Sequence, residues 1–145
     1  MLTAFGEGAA LINFVGHGGL DRLAHEVLLA SDDVPALANG ARLPVFTAES
    51  CYVASFAFPG FRTLAEELVL APQGGAIAAW GPGGLSFEGE VAELADRILP
   101  ALLDSGSGRL GDRAVAGLRA YLAAGGKARV AAAYTLLGDP ATDLR

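Results

Sequence analysis

The chain has 145 residues, 52% of them hydrophobic and 18% charged, with a net charge of −6. That is one domain's worth of chain with apolar content for a sizeable core, since a domain of this size hides roughly 68–70% of its unfolded surface, and it excludes a disordered chain. The negative balance repels phosphates and anionic lipid, no apolar run approaches the roughly 20 residues that span a bilayer, and the N-terminus lacks the basic start and apolar block of a signal peptide; neither nucleic acid nor a membrane is expected as a partner.

Residues 1–7 read as the tail of a helix. Ala9 to Val15 is a short apolar run that ends in Gly-His-Gly-Gly, which suits a strand buried on both faces, as in a parallel sheet. Asp21 to Ala30 has helical spacing, with Leu23, Val27 and Ala30 on one face and His25 at a solvated position. Leu43 to Thr47 reads as a second strand and runs into Glu49, Ser50 and Cys51, the only cysteine. Phe61 to Leu70 is helical, with Thr63 as N-cap and Glu66 three residues on; Pro72 and the Gly74-Gly75 pair stop it. Glu66 and Glu67 then serve as cap and solvated face.

Gly75 to Trp80 is a third buried strand, followed by a flexible loop, GPGGLS. Ser86 is placed to cap a long helix from Phe87 to Leu103, with Glu88, Glu90 and Glu93 favoured near its positive end. DSGSG is a linker, and Arg109 to Ala123 another helix. Arg129 to Leu136 reads as a fourth strand, though its alanines also permit helix. Asp139 in Gly-Asp-Pro is a turn former, with a calcium or substrate role as the lesser alternative. Strand and helix alternate throughout, the pattern of an α/β sheet, mostly parallel, with helices on both faces.

In such sheets ligands bind beyond the carboxyl ends of the strands. His17 and Cys51 each stand just past such an end, and their separation of 34 residues fits one strand–helix–strand unit. Alone, a single free cysteine reads as a small buried hydrophobe; a histidine on the same rim changes that reading. A thiol is intrinsically nucleophilic, and an imidazole beside it favours the thiolate or protonates a leaving amine. Gly18 leaves its N–H open to close approach, and that N–H with the Cys51 amide is suited to an oxyanion hole. Glu49 is suited to orient His17, to contact a basic substrate group, or to pair structurally with an arginine, the last being favoured. GHGG lacks the third glycine of a dinucleotide loop and the Lys-Ser/Thr of a P-loop. No His/Cys cluster has zinc spacing, and there is no Gly-x-Ser-x-Gly elbow.

Two apolar blocks ending in His-Gly and Ser-Cys, here LINFVGHG and LPVFTAESC, resemble the signature of the clan that includes caspases, legumains, gingipains and CHAT domains. TLAEELVLAPQGGAIAAWGPGG and AYTLLGDPATDL are similar to segments of the gingipain-like cysteine peptidases, so the resemblance runs from about Ala9 to Leu144. It implies a caspase-like three-layer fold and a cysteine endopeptidase with Cys51 as nucleophile, His17 as catalytic histidine, and Gly18 with Cys51 as the oxyanion hole. It implies further that Trp80, Gly81, Pro82 and Gly83 border the pocket for the residue before the scissile bond, with Trp80 as its wall; plain packing of Trp80 stands equally. No cofactor is required, although the family allows a structural calcium. A preference for Arg or Lys, and a location outside the cell or on its surface, also come from the resemblance alone.

The family's catalytic domain is longer, and its earlier half has no counterpart before Ala9. The expectation is therefore a single caspase-like domain over residues 1–145, incomplete at its N-terminal side, with an open sheet edge. Beyond a polypeptide substrate, that edge calls for a homodimer or for the missing N-terminal half. An inactive caspase-like scaffold module and a CHAT-type protease are the alternatives.

Overall fold

The computed structural model describes residues 1–104 and 108–144. In chain order the elements are α1 (Leu2–Glu7), β1 (Leu11–Val15), β2 (Arg22–Leu23), β3 (Leu29–Ala30), a 3₁₀ turn (Ser31–Ala36), β4 (Val45–Glu49), α2 (Leu64–Leu70), β5 (Ala78–Pro82), α3 (Glu88–Leu102), α4 (Leu110–Ala123), α5 (Ala128–Ala133) and β6 (Tyr134–Gly138). The expected linker at 104–108 falls for the most part outside the described residues, as does the side chain of Glu88.

The main sheet has the order β1-β4-β5-β6. β1, β4 and β5 are parallel; β6 returns antiparallel to β5. Every residue of β4 and β5 is buried, which is why these strands read as continuous apolar runs rather than alternating ones. Their side chains divide between two cores. Phe46, Ala48 and Ala79 pack with Ile12 and Phe14 against Phe5 of α1 and Leu64 and Leu68 of α2. Val45, Ala78 and Trp80 pack against Leu94 and Ile98 of α3, Tyr121 of α4 and Val130 of α5. The result is the expected three-layer α/β architecture, helices on both faces of a mostly parallel sheet.

The Thr63–Glu66 cap is present: the Glu66 carboxylate accepts from the Thr63 N–H at 2.8 Å and from its hydroxyl at 2.9 Å. Asn39 is buried and holds the turn after α2, donating to the Gly75 carbonyl at 3.0 Å and accepting from the Gly75 N–H at 2.8 Å. Asp139 forms its turn by accepting from the Ala141 N–H at 2.8 Å.

Three expectations are corrected. Asp21–Ala30 is not a helix but a small hairpin, β2 and β3, whose antiparallel pairs are Arg22–Ala30 and Leu23–Leu29. Leu23 and Leu29 are the fully buried residues, while Val27 is exposed, so the core takes a pair six apart instead of the helical stripe. His25 therefore sits, exposed, in the hairpin turn. Ser86 does not cap α3: Phe87 is the N-cap and no side-chain cap bond is made. The stretch expected as a fourth strand is divided, with Ala128–Ala133 helical and Tyr134–Gly138 extended; the alanines take the helix their propensity favours, and the larger residues that follow pair with β5.

Candidate active site

The site starts from strand register. Val15 of β1 stands opposite Glu49 of β4, and the Gly16 N–H continues the pairing by donating to the Glu49 carbonyl at 3.1 Å. Two residues beyond each of these partners come His17 and Cys51, on strands whose spacing is roughly 4.8 Å. Both line one cleft of about 490 Å³. Cys51 is half-buried and His17 exposed. The ends of β1 and β4 form one wall, with Glu49 and Ser50; α3 forms the other, with Val91, Ala92, Ala95, Asp96 and Leu99; Ser86 closes the end. The cleft lies beyond the carboxyl ends of the parallel strands.

The turn after β1 is pinned by the hairpin. The Ala24 N–H donates to the His17 carbonyl at 2.7 Å and the Gly19 N–H to the Arg22 carbonyl at 2.9 Å. Between them, a Cβ on Gly18 would overlap the Ser50 hydroxyl and stand 3.3 Å from the Arg22 carbonyl oxygen and from Val53. Only glycine brings the backbone this close to the end of β4. Among the described residues, neither the Gly18 N–H nor the Cys51 N–H meets an acceptor.

After Cys51 the chain turns sharply, with Tyr52 at φ 59°, a left-handed conformation that costs a non-glycine residue energy. The Tyr52 N–H donates to the Gly84 carbonyl at 3.0 Å. The Cys51 sulfur accepts from the Ser86 N–H at 3.5 Å and its thiol faces the Ser86 carbonyl at 3.6 Å. The loop after β5 is thus laid along the thiol.

Glu49 is 5% exposed. The arginine expected to pair with it is absent: no Arg or Lys lines the cleft among the described residues. Its neighbour is Asn13, whose Oδ1 accepts from the Thr47 hydroxyl at 2.6 Å. Burial pushes the Glu49 carboxyl up to about 7; its own backbone and the Asn13 side chain oppose the shift without cancelling it. Around the same end of the sheet, Glu49 Oε2 and the hydroxyls of Ser50, Ser86 and Tyr134 are buried with no hydrogen-bond partner among the described residues. Burial also holds the Tyr134 hydroxyl protonated.

Trp80 does not wall the cleft. It is 2% exposed and stacks on Tyr134, ring centroids 5.8 Å apart, because its position on β5 turns it into the core beneath α3. Gly81 and Pro82 are buried in the same strand, with Gly81 so close to Val53 that a Cβ would come to 2.8 Å. Only Gly83 of this group is exposed. Sequence reasoning passed over Asn13, Asp96 and Tyr134, and took Ser86 for a cap. The i, i+4, i+8 spacing of Val91, Ala95 and Leu99 marks a helix face, but nothing in it tells a cleft wall from a core stripe.

A second hollow, of about 440 Å³, lies between the hairpin and α2. Two ion pairs lie in its lining, Arg22 with Asp21 at 2.6 Å and Arg62 with Glu67 at 3.8 Å, and it contains neither His17 nor Cys51. Among the described residues no group of three or more His, Cys, Asp or Glu is placed to hold a metal ion. No helix among them is long and apolar enough to cross a membrane.

The family model for peptidase family C25 matches residues 1–145. Among solved structures, the chain is similar to RgpB of Porphyromonas gingivalis in a complex of its pro- and mature domains, at 21% identity and a TM-score of 0.86 over 97% of this chain and 35% of that one. It is likewise similar to the Arg-specific cysteine proteinase gingipain R, at 21% identity and a TM-score of 0.84 over 97% of this chain and 34% of the other. A third solved protease matches at 19% identity and a TM-score of 0.82, over 97% and 36%. The chain thus spans about a third of the length of the structures it matches. No curated protein matches it.

Proposed function

The chain belongs to peptidase family C25, and from that premise we propose that it hydrolyses peptide bonds as a cysteine endopeptidase, or as the catalytic portion of one, through Cys51 and His17. The observation that carries this reading is the Val15–Glu49 register, which brings an imidazole and a thiol to the rim of one cleft beside two amide donors without acceptors. His17 takes the thiol proton, and the sulfur attacks the scissile carbonyl carbon. The Gly18 and Cys51 N–H groups receive the developing oxyanion; a donor of this kind contributes about 2.7–4 kcal/mol to lowering a barrier. His17 then passes its proton to the leaving amine. Water, deprotonated by His17, cleaves the resulting thioester and restores the thiol.

The substrate is a polypeptide. Gly83 and the loop running to Ser86 form the lip along which it lies, while Trp80, Gly81 and Pro82 support that lip from within the sheet. Residence outside the cell or on its surface belongs to the same proposal, and fractionation of the producing cells tests it. The family assignment takes the place of the CHAT-type alternative.

One observation favours a second reading, that of an inactive interaction module: both backbone groups of Ser86 are turned to the Cys51 sulfur. Alkylation by iodoacetamide separates the two. For the peptidase, Cys51 reacts faster at pH 6–7 than an unassisted thiol, and His17→Ala removes the advantage. A rate equal to that of a free thiol, unchanged by His17→Ala, favours the module.

A further inference from the structure

The hydrolytic steps fix where the leaving half of a peptide begins, because its amine takes a proton from His17. His17 lines two hollows. One is the cleft it shares with Cys51; the other, of about 400 Å³, runs over Gly18, Gly19 and the hairpin. This second hollow shares Asp21 and Arg22 with the hollow of about 440 Å³ between the hairpin and α2. Three depressions thus follow one another through shared residues, from the thiol to α2. Gly19 keeps the path clear: among the described residues, a Cβ there would meet nothing nearer than Asp21 Oδ1, at 4.0 Å.

The last hollow exposes apolar side chains that the core does not use. Val27 is 42% exposed and Phe61 40%, and Phe58 stands edge-on to Phe61 with ring centroids 6.5 Å apart. Val27 holds its place at a cost. It is β-branched with a φ of 56°, a left-handed conformation that Gly or Asn adopts far more readily in a hairpin turn. Strain of this kind persists only where the surroundings impose it, and it gathers at ligand sites. The charges of the lining offer less. Arg22 is paired with Asp21 and also feels Asp32, while Arg62 is paired with Glu67. Three carboxylates therefore stand with two guanidiniums, which disfavours an acidic side chain. A basic one gains little, because exposed ion pairs are screened by water. Contact with Val27 and Phe61 is the larger gain on offer.

We propose that the hollow between the hairpin and α2 is a subsite for the leaving half of the substrate, and that it takes an apolar side chain, aromatic or branched aliphatic, against Val27 and Phe61. The inference rests on the peptidase reading above. The leaving half is gone once the thioester has formed, so the subsite acts on thioester formation and not on thioester hydrolysis.

The test uses peptides that share one acyl half, taken from a bond the protein is found to cut, with Phe replacing Ala at each of the first five positions beyond that bond in turn. At one or two of these positions Phe is expected to raise kcat/KM roughly tenfold over Ala, and Glu to bring no gain. Val27→Asn is expected to bring the Phe/Ala ratio close to one while raising the melting temperature by about 2–4 °C, since Asn accepts this turn conformation. A purely structural Val27 would not link a loss of selectivity to a gain in stability. Phe61→Ala is expected to lower the ratio in the same way. A wild-type protein with no preference for Phe at any position, or a preference that survives in Val27→Asn, overturns the proposal. If no peptide is cut, binding of the leaving product is read instead, with five pentapeptide amides that each carry one Phe among alanines and a free N-terminus. At least one is expected to shift the NMR methyl signals of Val27 at concentrations where the all-Ala peptide does not. Val27 signals that ignore all five overturn the proposal while leaving the peptidase reading intact. That reading fails separately, when Cys51 reacts no faster than a free thiol and His17→Ala changes nothing.

Discussion

Two residues at the cleft carry consequences for stability as well as chemistry. Glu49 binds its proton more tightly folded than unfolded, about 7 against 4.5. At this site the folded state then holds more protons than the unfolded one between those values, so the contribution of Glu49 to stability is fully present below pH 4.5, declines as pH rises to about 7, and is flat above. The full decline is about 3 kcal/mol, at 1.36 kcal/mol per unit. Urea unfolding at pH 5 and pH 7.5 measures it. Glu49→Gln should flatten the profile, and because His17 and His25 remain in the variant, their contribution subtracts out; an unchanged slope would mean that the carboxyl is solvated. Gly18 is the second case. Gly18→Ala sets a methyl against the Ser50 hydroxyl, with an expected cost of about 1–3 kcal/mol from overpacking. Ser50→Ala should recover part of that loss in the double variant, a coupling that thermal melts of the four proteins would reveal.

At the level of elements, the sequence was most legible where one kind of force decided the outcome. Short apolar runs gave β1, β4 and β5 to within three residues, and Thr63 with Glu66 gave the start of α2, because burial and capping are local in their demands. With the strands came His17 and Cys51, whose rim position follows from where each strand ends. The hairpin was not legible. Leu23 to Ala30 has helical spacing, yet Ala24 and Val27 take φ of 60° and 56°, in a hairpin whose Ala24 N–H bonds the His17 carbonyl and whose Leu23 and Leu29 enter the core, contacts that helical spacing does not encode. Trp80 was ambiguous for a similar reason, since strand periodicity does not say which core an aromatic side chain enters. Helix α4 offers a test in which local preference and packing oppose each other. Gly117 sits against α3, where a Cβ would come to 2.9 Å from Ile98 Cδ1 and 3.0 Å from Ile98 Cα. Helix propensity alone predicts that Gly117→Ala stabilises by about 1 kcal/mol; overpacking against backbone predicts a cost of about 1–3 kcal/mol. Packing should win, with a lower melting temperature. Because α3 walls the cleft, peptide cleavage should weaken with it. A higher melting temperature would mean that the two helices slide apart freely.

For the whole molecule, the controlling feature is the edge at β1. The other edge of the sheet is β6, joined to β5 along five residue pairs as β1 is to β4, with Tyr134 packed into the core beside Val130 of α5. β1 pairs with β4 on one side and with no strand on the other among the described residues. Its two faces differ. Ile12 and Phe14 enter the core, whereas Val15 is 66% exposed at the strand's end beside the cleft. An apolar edge with unpaired N–H and C=O groups is a template for another strand. The prediction is that the chain by itself associates through β1. Sedimentation velocity should show a species that grows with concentration, and Val15→Lys should shift it to monomer, since a charge on an edge strand blocks pairing while Val15 contributes little to the core. The site should feel the same change. His17 leaves the sheet two residues after Val15, so a strand docked on β1 would brace the turn that carries the imidazole. Iodoacetamide reactivity of Cys51 at neutral pH should therefore rise with protein concentration in the wild type and stay level in Val15→Lys. A folded wild-type chain that remains monomeric at all concentrations would show that this edge is closed by its own twist and side chains, and that the imidazole needs no brace.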